Sequence, residues 1–390
     1  MDSYTYRGLS DQQQRLAATI EQLGGYWPPI SAVARLLEEF GELAEVLLAE
    51  SERHEALSEE MADLWIIAAC LANQFCIPLP VARAATVETD DQNAPVADQM
   101  QSLLVHAGQI ARVVNYYDGS KPPRNTQDWL PLTKALRHFH VRLSQLAAAL
   151  KVDLESVVDD KLTASERRDR GRFEHSFDPS TAQSLTEFEV ISGSTPCVFA
   201  PTARLWGAPP WRSDLSMVDN VAAFLPYLTR FAKAARLEGL DTFVVSLGLE
   251  SPRTMRELAA RLREVLHALV QLDPTVNRSF RGPVAQVGWQ FSFGGVRMFV
   301  SVFSHLYEPT SPRYSPDATF LTFQPETSFD HCSIGSAYAQ SDTTKQRIRD
   351  EFRRKGLDYP MELIDDRVEA RLYLLPRFAG DTTCEWWHVR

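Results

Sequence analysis

The stretch LLEEFGELAE, residues 36–45, is followed after a short gap by EEMAD, residues 59–63. Glu39 and Glu42 are three residues apart in the first stretch, and so are Glu60 and Asp63 in the second. Residues at this spacing lie on one face of a helix. Two such helices packed antiparallel would bring four carboxylates together, which requires a cation. Oxygen ligands suit hard divalent ions, Mg²⁺ above all and Mn²⁺ as an alternative.

Bulk composition describes an ordinary globular protein of two or three domains. The chain has 390 residues, with 44% hydrophobic and 23% charged residues. The net charge of −11 disfavours a general nucleic-acid or anionic-membrane binder, because both depend on basic patches. Five scattered cysteines favour a reducing compartment. With neither a secretory pattern nor an apolar stretch long enough to span a membrane, the expected location is cytoplasmic.

The first part of the chain contains an internal repeat. LLVHAGQIARVV (103–114) aligns without gaps on LLEEFGELAEVL (36–47), and LAAALKVDLESV (146–157) aligns on LANQFCIPLPVA (71–82). The pattern predicts an all-α helical bundle over residues 1–180, built from repeats at about 10–92 and 95–178.

The second repeat has lost the acidic residues. His106 and Gln109 stand opposite Glu39 and Glu42, and His138 stands opposite Asp63. It ends instead in the basic segment KLTASERRDR, residues 161–170. One repeat therefore supplies carboxylates for a metal, and the other supplies cationic groups that suit phosphates.

These motifs resemble the MazG-like all-α nucleoside triphosphate pyrophosphohydrolases, over roughly residues 10–176. The family pattern EExxE…ExxD stands here as Glu38-Glu39-x-x-Glu42 and Glu60-x-x-Asp63. The family's KxxxNxxR-like segment stands as Lys161-xxx-Ser165-xx-Arg168, with serine in place of asparagine.

The resemblance implies the reaction NTP + H₂O → NMP + PPi. By it, Lys161 and Arg168 steady the triphosphate, and Glu38 and Glu39 are the catalytic residues, with Glu38 orienting water. The implied metal ligands are Glu39, Glu42, Glu60 and Asp63. Trp27, or another aromatic residue such as Phe40, would stack on the base. A competing interpretation is that such acid-rich helices are solvated surfaces, and a further one is a module that binds Mg²⁺-NTP without turnover.

The remainder, residues 185–390, is predicted to be an α+β domain with a mainly antiparallel sheet. Strands are expected at 188–191, 242–247 and 318–325, and a final strand at 370–376. WQFSF (289–293) and VRMFVSVF (296–303) predict a hairpin around Gly294-Gly295. Helices are expected at 217–237, 252–271 and 344–355.

Short motifs over about residues 188–378 resemble the YqcI/YcgG family. They are TPCVFA (195–200), WQF (289–291), SPRY (311–314) and TFQP (322–325). Some proteins that resemble this family are haem-dependent amino-acid N-oxygenases. The resemblance would thus imply a bound haem whose iron takes a protein side chain as axial ligand. His305 is the first candidate for this ligand and Cys197 is the second.

Arg313 would bind a substrate carboxylate or a haem propionate, or else pair with a neighbouring acid. A second functional hypothesis therefore makes an oxygenase, acting on a small amino-acid-like substrate, the main activity. In that case the MazG-like half is regulatory or senses nucleotides. Family members with one unit per chain assemble so that helices from different chains complete each site. The tandem repeat would then be an internal pseudo-dimer, and a homodimer of the whole chain is compatible with either hypothesis.

Overall fold

The computed structural model describes residues 9–49, 54–80, 94–119, 130–168, 177–248, 252–331, 341–357, 367–378 and 380–389. The chain divides into two compact units, one ending at Asp178 and the other beginning at Pro179. The first unit is helical, and the second combines helices with a five-stranded sheet. This is the predicted fold class.

Six helices form the described part of the helical unit. They are α1 (Asp11–Leu23), α2 (Pro29–Leu48), α3 (His54–Gln74), α4 (Val96–Tyr117), α5 (Leu132–Ala149) and α6 (Leu154–Arg168). Helices α2 and α3 form one hairpin and α4 and α5 another, and the two hairpins pack together through α2 against α4 and α3 against α5. Helices α1 and α6 both pack on α3, so α3 lies at the centre of the unit.

A buried polar cluster fixes the end of α3 against α1. The side-chain amide of Gln13 donates to Asn73 Oδ1 and to the Ile77 carbonyl, both at 2.9 Å, and its oxygen accepts from the Leu79 amide at 2.8 Å. Asn73 in turn donates to the Tyr26 hydroxyl oxygen at 3.1 Å. Because all these groups are paired, the connection between α1 and α2 is held in one position.

Helix α1 begins with a side-chain cap at Ser10. The Ser10 hydroxyl accepts from the Gln13 amide at 3.3 Å, and the Gln13 side-chain oxygen accepts from the Ser10 amide at 3.4 Å, forming a capping box. Replacing Ser10 by Ala should lower the free energy of unfolding of the helical unit by about 1 kcal/mol. Urea unfolding followed by circular dichroism measures this. Ser31→Ala, at an exposed position in the first turn of α2, is the control and should change stability by less than about 0.5 kcal/mol.

The sheet of the second unit has the order β1-β2-β5-β4-β3. Its strands are β1 (Leu205–Gly207), β2 (Thr242–Ser246), β3 (Ser292–Phe293), β4 (Val296–Phe303) and β5 (Phe320–Pro325). Strands β1 and β2 are parallel, and the other neighbours are antiparallel. The predicted hairpin is confirmed. Gly294 and Gly295 both have positive φ, as its two-residue turn requires.

The helices of the second unit are α7 (Gln183–Ser194), α8 (Met217–Glu238), α9 (Met255–Leu272), α10 (Glu326–His331), α11 (Ser341–Arg354) and α12 (Glu369–Tyr373). Two predicted strands are wrong. Residues 188–191 lie in α7, where Leu185, Phe188 and Ile191 are buried at helical spacing. The segment 370–376 begins inside α12, where Ala370 and Tyr373 are likewise buried three apart.

Candidate active site

Three of the four predicted metal ligands converge. Glu39 and Glu42 on α2 and Glu60 on α3 place carboxylate oxygens within 4.8 Å of one another. Glu39 is buried, Glu42 is exposed and Glu60 is intermediate, so the cluster opens to solvent on one side. Among the described residues it is the one group of three or more such side chains with this geometry.

The cluster is electrostatically unfavourable without a cation. Burial, together with Asp63, Glu42 and Glu60, raises the pKa of Glu39 to about 7, although Arg35 opposes the shift. Burial also raises the pKa of Glu60, and Glu42 and Asp63 add to it. Glu60 Oε2 is buried and has no hydrogen-bond partner among the described residues. Converging carboxylate oxygens, one of them buried and without a described partner, are the donor set that a hard divalent cation takes, so the residues present fit Mg²⁺.

Asp63, the fourth predicted ligand, forms an ion pair with Lys161 of α6. Lys161 Nζ also donates to the Glu59 carbonyl at 3.1 Å. Burial raises the pKa of Asp63, and Lys161 and Arg35 counteract this. Asp63 also interacts electrostatically with Glu39. It therefore lies beside the three-carboxylate cluster and links it to the cation of the second repeat.

Arg35 is a site residue that the sequence reasoning missed. Its guanidinium pairs with Glu38 at 2.6 Å and with Glu39, and its Cζ lies 5.8 Å from the centre of the Trp27 ring. The signal was present, because Arg35 precedes Glu38 by three residues and Glu39 by four, the spacings of helical ion pairs. Glu38 itself is half exposed and lies outside the three-carboxylate cluster.

A cavity of about 390 Å³ opens beside the carboxylates. Helices α1, α2, α3 and α6 and the connection between α1 and α2 all contribute to its wall. The lining residues are Thr19, Ile20, Leu23, Gly25, Tyr26, Trp27, Arg35, Glu39, Asp63, Ile66, Ile67, Cys70, Leu162 and Ser165. Most of the wall is apolar or aromatic, with charge at one end. Burial raises the pKa of the Cys70 thiol, so this side chain stays neutral.

The predicted substrate-binding residues fall on this cavity in part. Trp27 lines it, and so does Ser165, the serine that lies between Lys161 and Arg168 in the basic segment. Lys161 is next to the lining residue Leu162 and reaches Asp63. Arg168 is the last residue of α6, and its side chain lies outside the described part of the chain.

The equivalent positions of the second repeat are occupied differently. The rings of His106 and His138 are 5.3 Å apart, and His106 Nδ1 is 2.9 Å from Gln109 Oε1. Helices α2 and α3 together carry eight carboxylates and one arginine, whereas α4 and α5 carry one carboxylate and four lysines or arginines. The two hairpins therefore differ in charge, and of their described residues only those of the first form the acidic cluster.

The haem candidates do not converge on a described cavity. His305 is exposed on the turn after β4, and Cys197 lies on a turn after α7. Neither residue lines the cavity of the helical unit or the cavity of about 270 Å³ in the second unit. Arg313 packs over the rings of Phe303 and Phe299, with Cζ 5.1 and 5.9 Å from their centres. The described surroundings of His305, Cys197 and Arg313 therefore do not support a haem site, and haem ligation stays a prediction from sequence.

None of the described helices is long and apolar enough to cross a membrane. No curated protein and no solved structure matched the chain. Two family models did match. Residues 28–77 match the MazG nucleotide pyrophosphohydrolase domain, and residues 188–365 match the YqcI/YcgG family. The chain thus contains a MazG nucleotide pyrophosphohydrolase domain, followed by a domain of the YqcI/YcgG family.

Proposed function

We propose that the helical unit is a Mg²⁺-dependent nucleoside triphosphate pyrophosphohydrolase. The observation that carries the proposal is that Glu39, which clusters with Glu42 and Glu60, also lines a mostly apolar cavity, whose other charged lining residues are Arg35 and Asp63. A nucleoside triphosphate has the same division, with a flat base at one end and a polyanion at the other. The match to the MazG domain covers all of α2 and α3 and supports the same assignment.

The cavity wall would bind the nucleoside. Tyr26 and Trp27 offer aromatic surface for a base, and Tyr26 is held by the hydrogen bond from Asn73. Thr19 and Ser165 are the polar lining groups away from the carboxylates. Because the wall is positioned before substrate arrives, little ordering of the protein accompanies binding.

The triphosphate would lie along the charged end of the cavity. Glu39, Glu42 and Glu60 would hold the metal, with Asp63 at the edge of the set. When bound, the cation offsets negative charge on the phosphates and on the leaving pyrophosphate. Lys161 would exchange its pairing with Asp63 for a phosphate oxygen, and Arg35 keeps Glu38 and Glu39 oriented.

The reaction is a hydrolysis at the α-phosphorus. A water oxygen forms a bond to that phosphorus, the bond to the bridging α–β oxygen breaks, and the products are a nucleoside monophosphate and pyrophosphate. Positioning and charge stabilisation account for most catalysis of this kind. Lys161 of α6 would complete the site, so one of its two cations, Lys161 but not Arg35, would come from the second half of the proposed duplication.

Pyrophosphate release by the full chain tests the assignment. With each common NTP and dNTP in turn, we expect release that needs Mg²⁺ or Mn²⁺ and stops on addition of EDTA. Release that continues unchanged in both Glu39→Ala and Asp63→Ala would reject this site. Calorimetric binding of Mg²⁺-NTP with no product over hours would favour a nucleotide-binding module instead. The cytoplasmic location and the homodimer remain predictions from sequence.

A further inference from the structure

The hairpin of α4 and α5 carries imidazole and cationic side chains where the hairpin of α2 and α3 carries carboxylates. In the proposed alignment of the two repeats, His106 is the counterpart of Glu39. His138 is the counterpart of Asp63. The second hairpin therefore has a group of the opposite charge type at the place where a symmetric copy of the active site would lie.

Three members of this group follow one face of α5. Lys134, His138 and Arg142 are separated by four residues each, and residues at this spacing are neighbours on a helix surface. Lys134 and His138 are exposed, and Arg142 is partly buried. Gln145 Oε1 accepts from Arg142 Nη1 at 3.3 Å. Like charges at this spacing repel one another, so the face gains stability when an anion lies among them.

His106 adds a fourth group from α4. Its ring lies edge-on to the ring of His138, with the ring centres 5.3 Å apart. His106 Nδ1 is 2.9 Å from Gln109 Oε1. Because an amide oxygen can only accept, Nδ1 carries the proton of the neutral ring, and Nε2 is the nitrogen that takes up a further proton. Protonated His106 is then a donor at both nitrogens.

The charged groups that act on His138 are of one sign. Partial burial lowers the pKa of His138, and His106, Arg142 and Lys134 lower it further. Helices α4 and α5, which the structure describes throughout, contain one carboxylate, that of Asp98. Asp98 lies eight residues before His106, more than two helical turns away. The two helices therefore do not neutralise the group with an acid of their own.

We propose that the cluster of His106, Lys134, His138 and Arg142 binds a diphosphate group, either as free pyrophosphate or as part of a nucleotide. Each side chain can donate to a phosphate oxygen, and hydrogen bonds between charged partners are the strong ones. A metal cation is disfavoured, because Lys134 and Arg142 flank His138 and repel it. No third metal-ligating side chain joins the two imidazoles among the described residues. The proposal does not depend on hydrolysis at the first repeat.

Nuclear magnetic resonance of the full chain, with ¹³C-labelled imidazoles, tests the proposal. The signals of His106 and His138 are assigned from His106→Gln and His138→Gln. With EDTA present at about pH 6, both signals should shift together on titration with inorganic pyrophosphate and saturate with a dissociation constant below about 1 mM. No shift of either signal up to about 10 mM, or equal shifts of all histidine signals, would overturn the proposal.

ADP in the same titration separates the two sources of the diphosphate group. A dissociation constant for ADP at least about tenfold below that for pyrophosphate would support a nucleotide, whose nucleoside adds contacts beside the cluster. Equal or weaker binding of ADP would support free pyrophosphate.

Charge variants locate the binding. Lys134→Gln and Arg142→Gln should each weaken pyrophosphate binding about three- to tenfold, because each removes a charged donor. Arg137→Gln is the matched control, since Arg137 is exposed on the same helix and its Nε donates to the Pro78 carbonyl at 3.0 Å. It should change the affinity less than about twofold at physiological salt. Equal losses in all three variants, with circular dichroism showing folded protein, would indicate attraction by general charge and reject the site.

The pH dependence of anion binding tests the two imidazoles. Sulfate is the probe, because its own charge is constant between about pH 5.5 and 7.5 whereas the imidazoles titrate there. An anion favours the protonated ring, so affinity for sulfate should rise about tenfold as the pH falls through this range. The double variant His106→Gln/His138→Gln should lose most of this rise. An equal pH dependence in the natural protein and the double variant would exclude both histidines from binding and overturn the proposal.

Discussion

Replacing Glu60 by Gln is expected to lower Mg²⁺-dependent pyrophosphate release by about 100-fold or more, since loss of groups that merely support a ligand already costs about 10- to 100-fold. Glu60 is the member of the cluster with a buried oxygen that has no partner. Gln keeps the size of the side chain and removes the charge that the cation requires. The initial rate of pyrophosphate release at saturating nucleotide measures the effect.

The same variant separates metal binding from folding. Its free energy of unfolding without metal should be equal to or greater than that of the natural protein, because one of several repelling charges is gone. Metal at 100 times its dissociation constant from the natural protein should raise the free energy of unfolding of that protein by about 2.7 kcal/mol. The same metal concentration should raise the free energy of unfolding of the variant much less. Glu55→Gln, an exposed change in the first turn of α3, is the matched control. An equal loss of pyrophosphate release in Glu60→Gln and Glu55→Gln would contradict the assignment of Glu60 as a metal ligand.

His140 should give the helical unit a marked sensitivity to acid. It is 2% exposed on α5, packs edge-on against Trp65 at 5.6 Å, and has no described partner for either ring nitrogen. Burial lowers its pKa from 6.5 to about 4. Between these two values the unfolded chain binds a proton that the folded chain does not. The contribution of His140 to stability is therefore full above about pH 6.5 and falls by about 3 kcal/mol as the pH drops to about 4.

The measurement compares the free energies of unfolding of the natural protein and of His140→Leu by urea unfolding between about pH 4.5 and 7.5. Most of the expected change in stability falls within this range. The raised pKa values of Glu39, Glu60 and Asp63 act in the opposite direction, so the difference between the two proteins is the relevant quantity. The leucine variant should gain stability relative to the natural protein as the pH falls. A difference that does not change with pH would show that His140 is protonated or solvated in the folded state.

Local spacing was enough to predict the two helices that carry the acidic cluster and which of their carboxylates share a helix face. The three-residue intervals within 36–45 and 59–63 place carboxylates on single helix faces, and the structure brings Glu39, Glu42 and Glu60 together. The hairpin around Gly294-Gly295 was equally predictable, since its turn needs two residues with positive φ. In each case the decisive information lies within a few neighbouring residues.

What spacing could not provide was tertiary contact. The cavity depends on α6 packing against α1 and α3, which brings Leu162 and Ser165 into the same wall as Trp27, and no local pattern encodes that packing. The ion pair between Asp63 and Lys161 joins residues 98 positions apart. The error at residues 188–191 was of another kind. A four-residue window of apolar and acidic side chains fits a strand, and only the longer spacing from Leu185 reveals the helix.

The contact between Trp65 and His140 has a consequence for the ancestry of the helical unit. In the proposed alignment of the two repeats, His140 is the counterpart of Trp65. A symmetric pair of identical repeats would bring this residue into contact with its own copy, and here the two counterparts are in contact. Two indoles there would overfill the space, and two imidazoles would leave additional buried nitrogens unpaired. Under the proposed duplication, each half therefore carries at this contact a residue that fits the other half and would not fit a copy of itself. The helical unit would then resemble a heterodimer whose two subunits are joined in one chain.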